Sequence, residues 1–359
     1  MKNIATISSK ELPFEFNGTS REFFGIWIVN ILLTVLTLGF YSPWAKVRTK
    51  RYFYGSTVLD NASFDYLADP KVILKGWIIV GVVLMAYNVG SNMLPVLGPV
   101  FMLVFLLLMP WLVVRAMCFR MRNTAWRNIR FSFEKDYREA TKVFVGFAVL
   151  VPLSFGLLMP YFAYRKKKFL MNHASFGQDQ FELPNMGRTF YEIYLVLAMI
   201  FFGSIMVLAF VLPEVMSPLM MKVNPSAMNH LSEPARQVMP WALPVVAGAF
   251  FITIVISYPY LQASISNAIW NNVRIADNRF NSTLSTWKLM WIYQTNTLAI
   301  MFSFGLLVPW TMIRLARYRI DNLTLLAASE LEGFVARATQ HENALADEAS
   351  DVFDVDLGL

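Results

Sequence analysis

Three stretches of the chain set glycine, proline, an aromatic ring and arginine at one spacing: "GFYSPWAKVR" from Gly39, "GLLMPYFAYR" from Gly156 and "GLLVPWTMIR" from Gly305. They place Pro43, Trp44 and Arg48, then Pro160, Tyr161 and Arg165, then Pro309, Trp310 and Arg314 in register. A second base follows three residues on, at Arg51, Lys168 and Arg317. A shorter version, Pro110, Trp111 and Arg115, lacks the leading glycine, and another around Pro259 keeps only proline and Tyr260. The chemistry open to such a set is recognition of anionic lipid headgroups. An aromatic ring prefers the membrane interface, and an arginine one helical turn further on shares its face at the depth of the phosphates. The structural reading stands beside it. Glycine lets helices bend or approach, proline favours a kink or a first turn, and the base marks a helix exit.

Groups suited to catalysis are scarce. Acid–base or nucleophilic chemistry needs paired carboxylates, a nucleophile with its base, or a metal cluster, and the apolar runs hold almost no ionisable residue. Lys75 and Glu192 stand at run ends, where they reach headgroups, while Asn30, Asn88 and Asn296 read as interhelical hydrogen-bond partners. Cys118 is the only cysteine, which excludes an intrachain disulfide and a multi-cysteine metal site. His173, His230 and His341 lie in separate segments and read as solvated surface positions rather than metal ligands. No GxxxxGK or GxGxxG stretch stands between a strand and a helix. The expectation is a protein without enzymatic activity, cofactor or metal.

The elements that would carry these residues follow from composition. With 56% hydrophobic and 15% charged residues, and a mean hydropathy of +0.47, the chain lies outside the range of soluble domains. Seven apolar runs, at 23–43, 76–94, 99–114, 143–163, 190–212, 242–262 and 294–313, approach the roughly 20 residues a helix needs to cross a bilayer. Between them recur "FEFNG", "LDNASFDY", "IRFSFE" and "FGQDQFEL", whose period-two alternation beside turn residues predicts short strands outside the membrane. The expected fold is therefore an all-α polytopic membrane protein, about seven hydrophobic helices in internal repeats, with short β-hairpin-like extramembrane segments. Its parts are a polar N-terminal segment (1–22), a membrane domain (23–325) and an acidic tail (326–359). Within the membrane domain, single segments at about 23–64, 143–183 and 294–325 alternate with hairpins at 76–114 and 190–262. The first 22 residues lack the charged start and apolar centre of a secretory signal.

The stretch from "FEFNG" through "TLGFYSPWAKVRTKRYFYGSTVLDNASFDY", with "FGLLMPYFAYRKKKFLMNHASFG" and "FGLLVPWTMIRLARYRIDNL", resembles the YjgN family of bacterial inner-membrane proteins. The resemblance covers nearly the whole chain and implies an inner-membrane, multi-pass protein, with no catalytic residue to carry over. Two functions remain open: transport of an uncharged or lipid-like substrate, or a membrane organiser that binds anionic headgroups or a protein partner. A pI near 9.4 does not argue for nucleic acid, because the bases follow hydrophobic ends rather than forming one stripe. Two topologies also remain open. Either all seven segments cross, or the three single segments enter and leave by the cytoplasmic face while only the hairpins cross. The second puts every Lys and Arg except Lys222 and Arg236 on one side, and both leave the C-terminus in the cytoplasm. In the tail, Ser329 and Glu332 have capping-box spacing for a helix through Ala338, and Phe353 with its acidic neighbours is expected to dock on basic residues.

Overall fold

The computed structural model describes residues 10–94, 96–223 and 233–328. The tail helix and the docking of Phe353 lie outside the described residues. Period-two alternation does produce strands. On β1 (Lys10–Phe16) the buried and half-buried side chains are Leu12, Phe14 and Phe16. Turn residues set the hairpins, with Asp60–Asn61 and Arg127–Asn128 all at positive φ, the paired left-handed conformation of a two-residue type I′ connection. These turns join β2 (Thr57–Leu59) to β3 (Ala62–Tyr66) and β4 (Thr124–Trp126) to β5 (Ile129–Phe133). The pairs β6 (Ala174–Phe176) with β7 (Asp179–Glu182) and β8 (Arg274–Ile275) with β9 (Asn278–Ser282) follow, and β10 (Leu323–Ala327) pairs with β1 and β9.

The ten strands form one closed antiparallel barrel in the order β1-β10-β9-β8-β7-β6-β5-β4-β3-β2. Register fixes where the rest of the chain leaves it. Phe16 pairs with Thr57, Tyr66 with Thr124, Phe133 with Ala174, Glu182 with Arg274 and Ser282 with Leu323. At each of these pairs one strand ends and its neighbour begins, so all five helical excursions depart from and return to the same end of the barrel. The other end carries the tight turns. Its strands run 2 to 7 residues, against the roughly 9–11 that a membrane-crossing strand requires.

Each excursion is a pair of helices. The first is α1 (Ser20–Leu36) and α2 (Ser42–Gly55), and the last is α10 (Thr286–Phe302) and α11 (Val308–Asp321). The third begins with α5 (Tyr137–Thr141), a π-helical turn (Lys142–Gly146) and α6 (Phe147–Leu153), and returns by α7 (Met159–Asn172). In these three, a first stretch of 17 residues is followed by a helix of 14, the middle copy reaching the same length from pieces of 5, 5 and 7. The second excursion, α3 (Pro70–Met93) and α4 (Leu97–Arg122), and the fourth, α8 (Gly187–Val223) and α9 (Glu233–Trp270), are longer.

The all-α fold of about seven spanning helices is thus corrected on two counts. Strands predicted as short hairpin-like extramembrane segments close into a barrel, because the first and last strands of the chain find each other. Among the described residues only four helices are long and apolar enough to cross a membrane, within Pro70–Met93, Leu97–Arg122, Gly187–Ala209 and Ala247–Trp270. The runs at 23–43, 143–163 and 294–313 break at Gly39, Gly156 and Gly305 and turn back.

That break is one hydrogen-bonded turn made three times. The amide of Gly39 reaches the carbonyl of Thr34 and that of Leu38 reaches Val35; Gly156 and Phe155 do the same to Val151 and Pro152, and Gly305 and Phe304 to Ile300 and Met301. This is a Schellman ending, where the residue in the left-handed region is usually glycine. Here it is Leu38, Phe155 or Phe304, at φ 49–50°, a conformation costing a bulky residue about 1–2 kcal/mol. The side chains so displayed are almost fully exposed, at 92%, 97% and 97%. Their neighbours Leu36, Phe40, Leu153, Leu157, Phe302 and Leu306 are exposed too, and contiguous apolar surface of this kind marks a membrane or partner contact.

Contacts divide the chain into two compact units. The barrel and the three turns belong to one, and residues 188–266 with 284–298 form the other. In the second, Tyr258 and Tyr293 meet edge to face at 5.2 Å and Asn296 is buried.

Single cysteines at the exposed turn positions Asn61, Asn128, Gln178 and Asp277, in a Cys118→Ser background, test the fold in intact cells. All four should behave alike toward a membrane-impermeant thiol reagent. Labelling of Gln178 on the opposite side from Asn61 would restore the seven-crossing topology. A second test concerns the turn. Gly305 has φ +89° and a Cβ there would meet nothing within 4 Å, so Gly305→Ala should lower stability by about 1–2 kcal/mol through backbone strain alone. An unchanged unfolding midpoint in detergent would contradict the turn.

Candidate functional site

Seven of the ten strands turn an aromatic side chain to the inside of the barrel, while β2, β8 and β10 contribute Thr57, Leu59, Ile275, Leu323 and Leu325. Phe14 stacks on Phe64 at 6.2 Å, Phe64 on Trp126 at 6.1 Å, and Trp126 packs against Phe176 at 5.8 Å. Phe176 meets Phe131 at 4.9 Å, Phe131 stacks on Phe181 at 6.5 Å, Phe181 on Phe280 at 6.4 Å, and Trp270 closes on Phe280 at 5.2 Å. Offset and tilted pairs of this kind are favourable beyond their buried area by about 0.5–1.5 kcal/mol each. The belt does not fill the barrel. It surrounds a cavity of about 430 Å³ lined almost wholly by apolar side chains, with Thr57 and Asn278 among the few polar residues.

The two ends of this lumen differ. At the helix end its wall is completed by Phe53, Tyr54, Trp270 and Ile320, the last residues of helices returning to strands. At the turn end Arg127 donates to the Asp60 carboxylate at 2.6 Å and to the Asp60 carbonyl at 3.1 Å, joining neighbouring hairpins. The same guanidinium lies over the Trp126 ring at 4.8 Å. Asn278 is buried and accepts from the amide of Ala328.

Beside the wall stands a group of cations. Lys50 donates to the Tyr66 hydroxyl at 3.3 Å and lies over that ring, and Tyr66 packs on Tyr54 at 5.4 Å. Burial, then Arg120 and Lys46, push the Lys50 ammonium down to about 8, and burial with the neighbouring Tyr54 pushes the Tyr66 phenol up.

The residues singled out in the sequence fall into distinct settings. Pro43, Pro160 and Pro309 are buried in the first turn of α2, α7 and α11, where a missing donor costs nothing. Pro110 is buried inside α4. Trp44 stacks on Tyr41 at 6.1 Å, and Tyr161 packs against Phe147 at 5.6 Å. Arg115 lies over Trp111 at 5.8 Å and Arg314 over Trp310 at 5.1 Å, the i to i+4 pairing the spacing suggests. Arg165 pairs with Glu139 at 3.3 Å, Lys168 lies over Tyr164 at 5.8 Å, and Arg48 is exposed.

Arg51 and Arg317 do something the sequence did not suggest. Arg51 donates to the carbonyls of Tyr66 and Ala68, and Arg317 to that of Gly18. Each ties a returning helix to the strand–helix junction of the next excursion. Cys118, at the matching place on α4, directs its thiol to the Phe133 carbonyl at 3.6 Å. The structure places Arg51, Arg317 and Cys118 near the strand–helix boundary and Gly39, Gly156 and Gly305, with the prolines that follow them, at the far turns, and none of these is among the lumen residues. The lumen was missed because β4, β8, β9 and β10 were not read as strands; "TAW" and "RIADNRFNS" carry the signal of an aromatic opposite turn residues. His173 also departs from the reading of a solvated residue, being 8% exposed beside Asp136 and Glu139. His230 and His341 lie outside the described residues.

The four apolar helices fit a membrane protein, and the strands of the same chain close into a ring. The chain belongs to a family of bacterial proteins of unknown function, DUF898, whose family model matches residues 11–352. Among curated relatives, the inner membrane protein YjgN of Salmonella typhimurium is 23% identical over 365 residues, 90% of each chain. The proteins of that name from Escherichia coli O157:H7 and Escherichia coli strain K12 are each 28% identical over 154 residues, 42% of this chain and 39% of theirs. No solved structure matches.

The lowered Lys50 value gives a pH prediction. Between about 8 and the ordinary lysine range the unfolded chain binds more protons at this site than the folded one, so stability rises with pH there. Raising the pH from 7.5 to 9.5 should therefore raise the unfolding midpoint of the native protein more than that of Lys50→Met. Parallel profiles for the two would show that Lys50 is not held in this setting.

Proposed function

We propose that this is an inner-membrane lipid-handling protein whose barrel accepts the acyl chain of an amphiphile. One observation carries the reading: a closed barrel encloses about 430 Å³ of space walled by aromatic and aliphatic side chains, within the ~300–1,000 Å³ usual for ligand sites. A polar substrate would lose its hydration there with few partners to replace it. An acyl chain would lose nothing. Lys50 and Arg120, linked to the wall through Tyr66 and Tyr54, suit an anionic head.

The surroundings support the same reading. The three exposed apolar tips are taken as dipping into one leaflet, which would bring the helix end of the barrel to the lipid. Relatives carry the name inner membrane protein, and the four apolar helices agree with that location. The concentration of bases on one side of the same-face topology argues that the barrel and the C-terminus are cytoplasmic. Recurrence of strand, two helices and strand five times is read as internal repetition. Of the two functions open in the sequence, headgroup binding by the motif bases is the less favoured at Arg51 and Arg317, which spend their donors on backbone carbonyls. No chemical step is proposed.

Native mass spectrometry of the full chain, released from mild detergent, tests the proposal. The native protein should carry lipid or fatty acid, and Thr57→Phe, which fills the lumen, should reduce its occupancy at least tenfold with the unfolding midpoint unchanged or raised. The same lipid at the same occupancy in both proteins would place it outside the barrel and overturn the reading.

A further inference from the structure

A second site lies where β5 passes into α5, against the end of α7. The geometry points to a divalent-metal site formed by Asp136, Glu139 and His173, with first-row ions such as zinc or manganese as its ligands. It is independent of the lumen and of any lipid bound there.

The argument starts from which atoms are already engaged. His173 Nδ1 lies 3.0 Å from the carbonyl of Phe169. A carbonyl can only accept, so Nδ1 carries the hydrogen and a neutral ring leaves a lone pair on Nε2. The ring is held in place, its centre 4.5 Å from that of Phe169 and 6.0 Å from that of Phe133. Asp136 spends Oδ1 on the amide of Glu139 at 2.8 Å, as the cap of α5. Glu139 spends Oε1 on Arg165 Nη2 at 3.3 Å.

Every residue of the three is thus fixed by one atom and turns another to a common point. Nε2 of His173 stands 3.7 Å from Glu139 Oε2 and 3.9 Å from Asp136 Oδ2, and one ligand atom from each residue lies within 4.8 Å of the others. Neither short separation is a hydrogen bond. With the ring neutral, three acceptors face one another across a site where the histidine side chain is nine-tenths buried, an arrangement that a cation between them relieves. With ligand distances of about 2.0–2.2 Å, tetrahedral zinc sets its ligand atoms about 3.4 Å apart. The two histidine–carboxylate separations exceed this by a few tenths of an ångström, and the two carboxylate oxygens lie within 4.8 Å of each other.

The donors select the ion. One imidazole with two carboxylates suits zinc, manganese or iron, whereas calcium and magnesium prefer oxygen alone. The backbone carbonyl on Nδ1 and the arginine on Glu139 are the outer partners that metal ligands ordinarily have. The carboxylate side chains are about a third exposed, at 39% and 34%, which leaves room for water to complete the coordination. A bound ion would pin the junction of the third excursion to the end of its returning helix. No spacing rule finds this set, because the acids and the histidine lie on opposite sides of a helical pair and meet only through the pairing of Phe133 with Ala174.

The test uses the full chain in detergent, stripped with chelator and dialysed against micromolar zinc chloride at pH 7.5, with bound metal counted by inductively coupled plasma mass spectrometry. One equivalent is expected, together with a raised unfolding midpoint. Cobalt should give the visible absorption of a bound N,O-ligated ion. His173→Ala and Glu139→Gln should each weaken zinc binding at least tenfold, the second keeping size and shape should the first fail to fold. Arg165→Gln, an outer partner, should weaken it about tenfold. No zinc on the native protein, or equal binding by native protein and both ligand variants, overturns the site. A native protein that takes up no metal but loses stability as pH rises through the histidine range, in a manner abolished by His173→Ala, would show a proton in the ion's place and overturn it equally.

Discussion

Pairing between the first strand and the last is what the architecture depends on. Four register pairs, from Lys10 with Ala327 to Pro13 with Thr324, join segments some three hundred residues apart, and without them the other strands would form an open sheet with two unsatisfied edges. Closure by backbone hydrogen bonds removes those edges. It also dictates everything attached. In a closed antiparallel ring whose tight turns all lie at one end, each longer connection must begin and finish at the other. A segment that leaves and returns at the same end, and is too short to cross twice, has to turn round.

How it turns shows which force prevails locally. A helix ending with this hydrogen-bond pattern ordinarily puts glycine in the left-handed position, and each of these endings has a glycine one residue away. The chain nevertheless places leucine or phenylalanine there, accepting backbone strain to present an apolar side chain at the farthest point of the turn. Were the tip to enter lipid, as proposed, burial of such a side chain would return about 1.5–3 kcal/mol, enough to offset strain of about 1–2 kcal/mol. Thr37, Ser154 and Ser303 steady the same turn by accepting from the amides of Tyr41, Leu158 and Leu307.

Much of this was legible in the sequence and some was not, for identifiable reasons. Strands over "FEFNG", "LDNASFDY", "IRFSFE" and "FGQDQFEL" declared themselves by alternation and turn residues. The repeated Gly, Pro and aromatic spacing coincides with the three hydrogen-bonded turns. Hydropathy could not say that those places are reversals, since a run of about twenty apolar residues reads the same whether it crosses or bends. Strands as short as β4 and β8 carry too few residues for a period to show. The lumen follows from ring closure, a contact of long sequence separation, and so does the neighbourhood of His173. Local pattern informs on elements, whereas the cavity and the three-residue cluster are properties of how distant elements pair.

The count of excursions has a consequence of its own. Long helical pairs alternate with short ones along the chain, but five is odd, and a ring with an odd number of members cannot alternate all the way round. The mismatch falls where the chain begins and ends. There the returning helix of the last pair, α11, packs against α1 of the first, and Arg317 reaches across to Gly18.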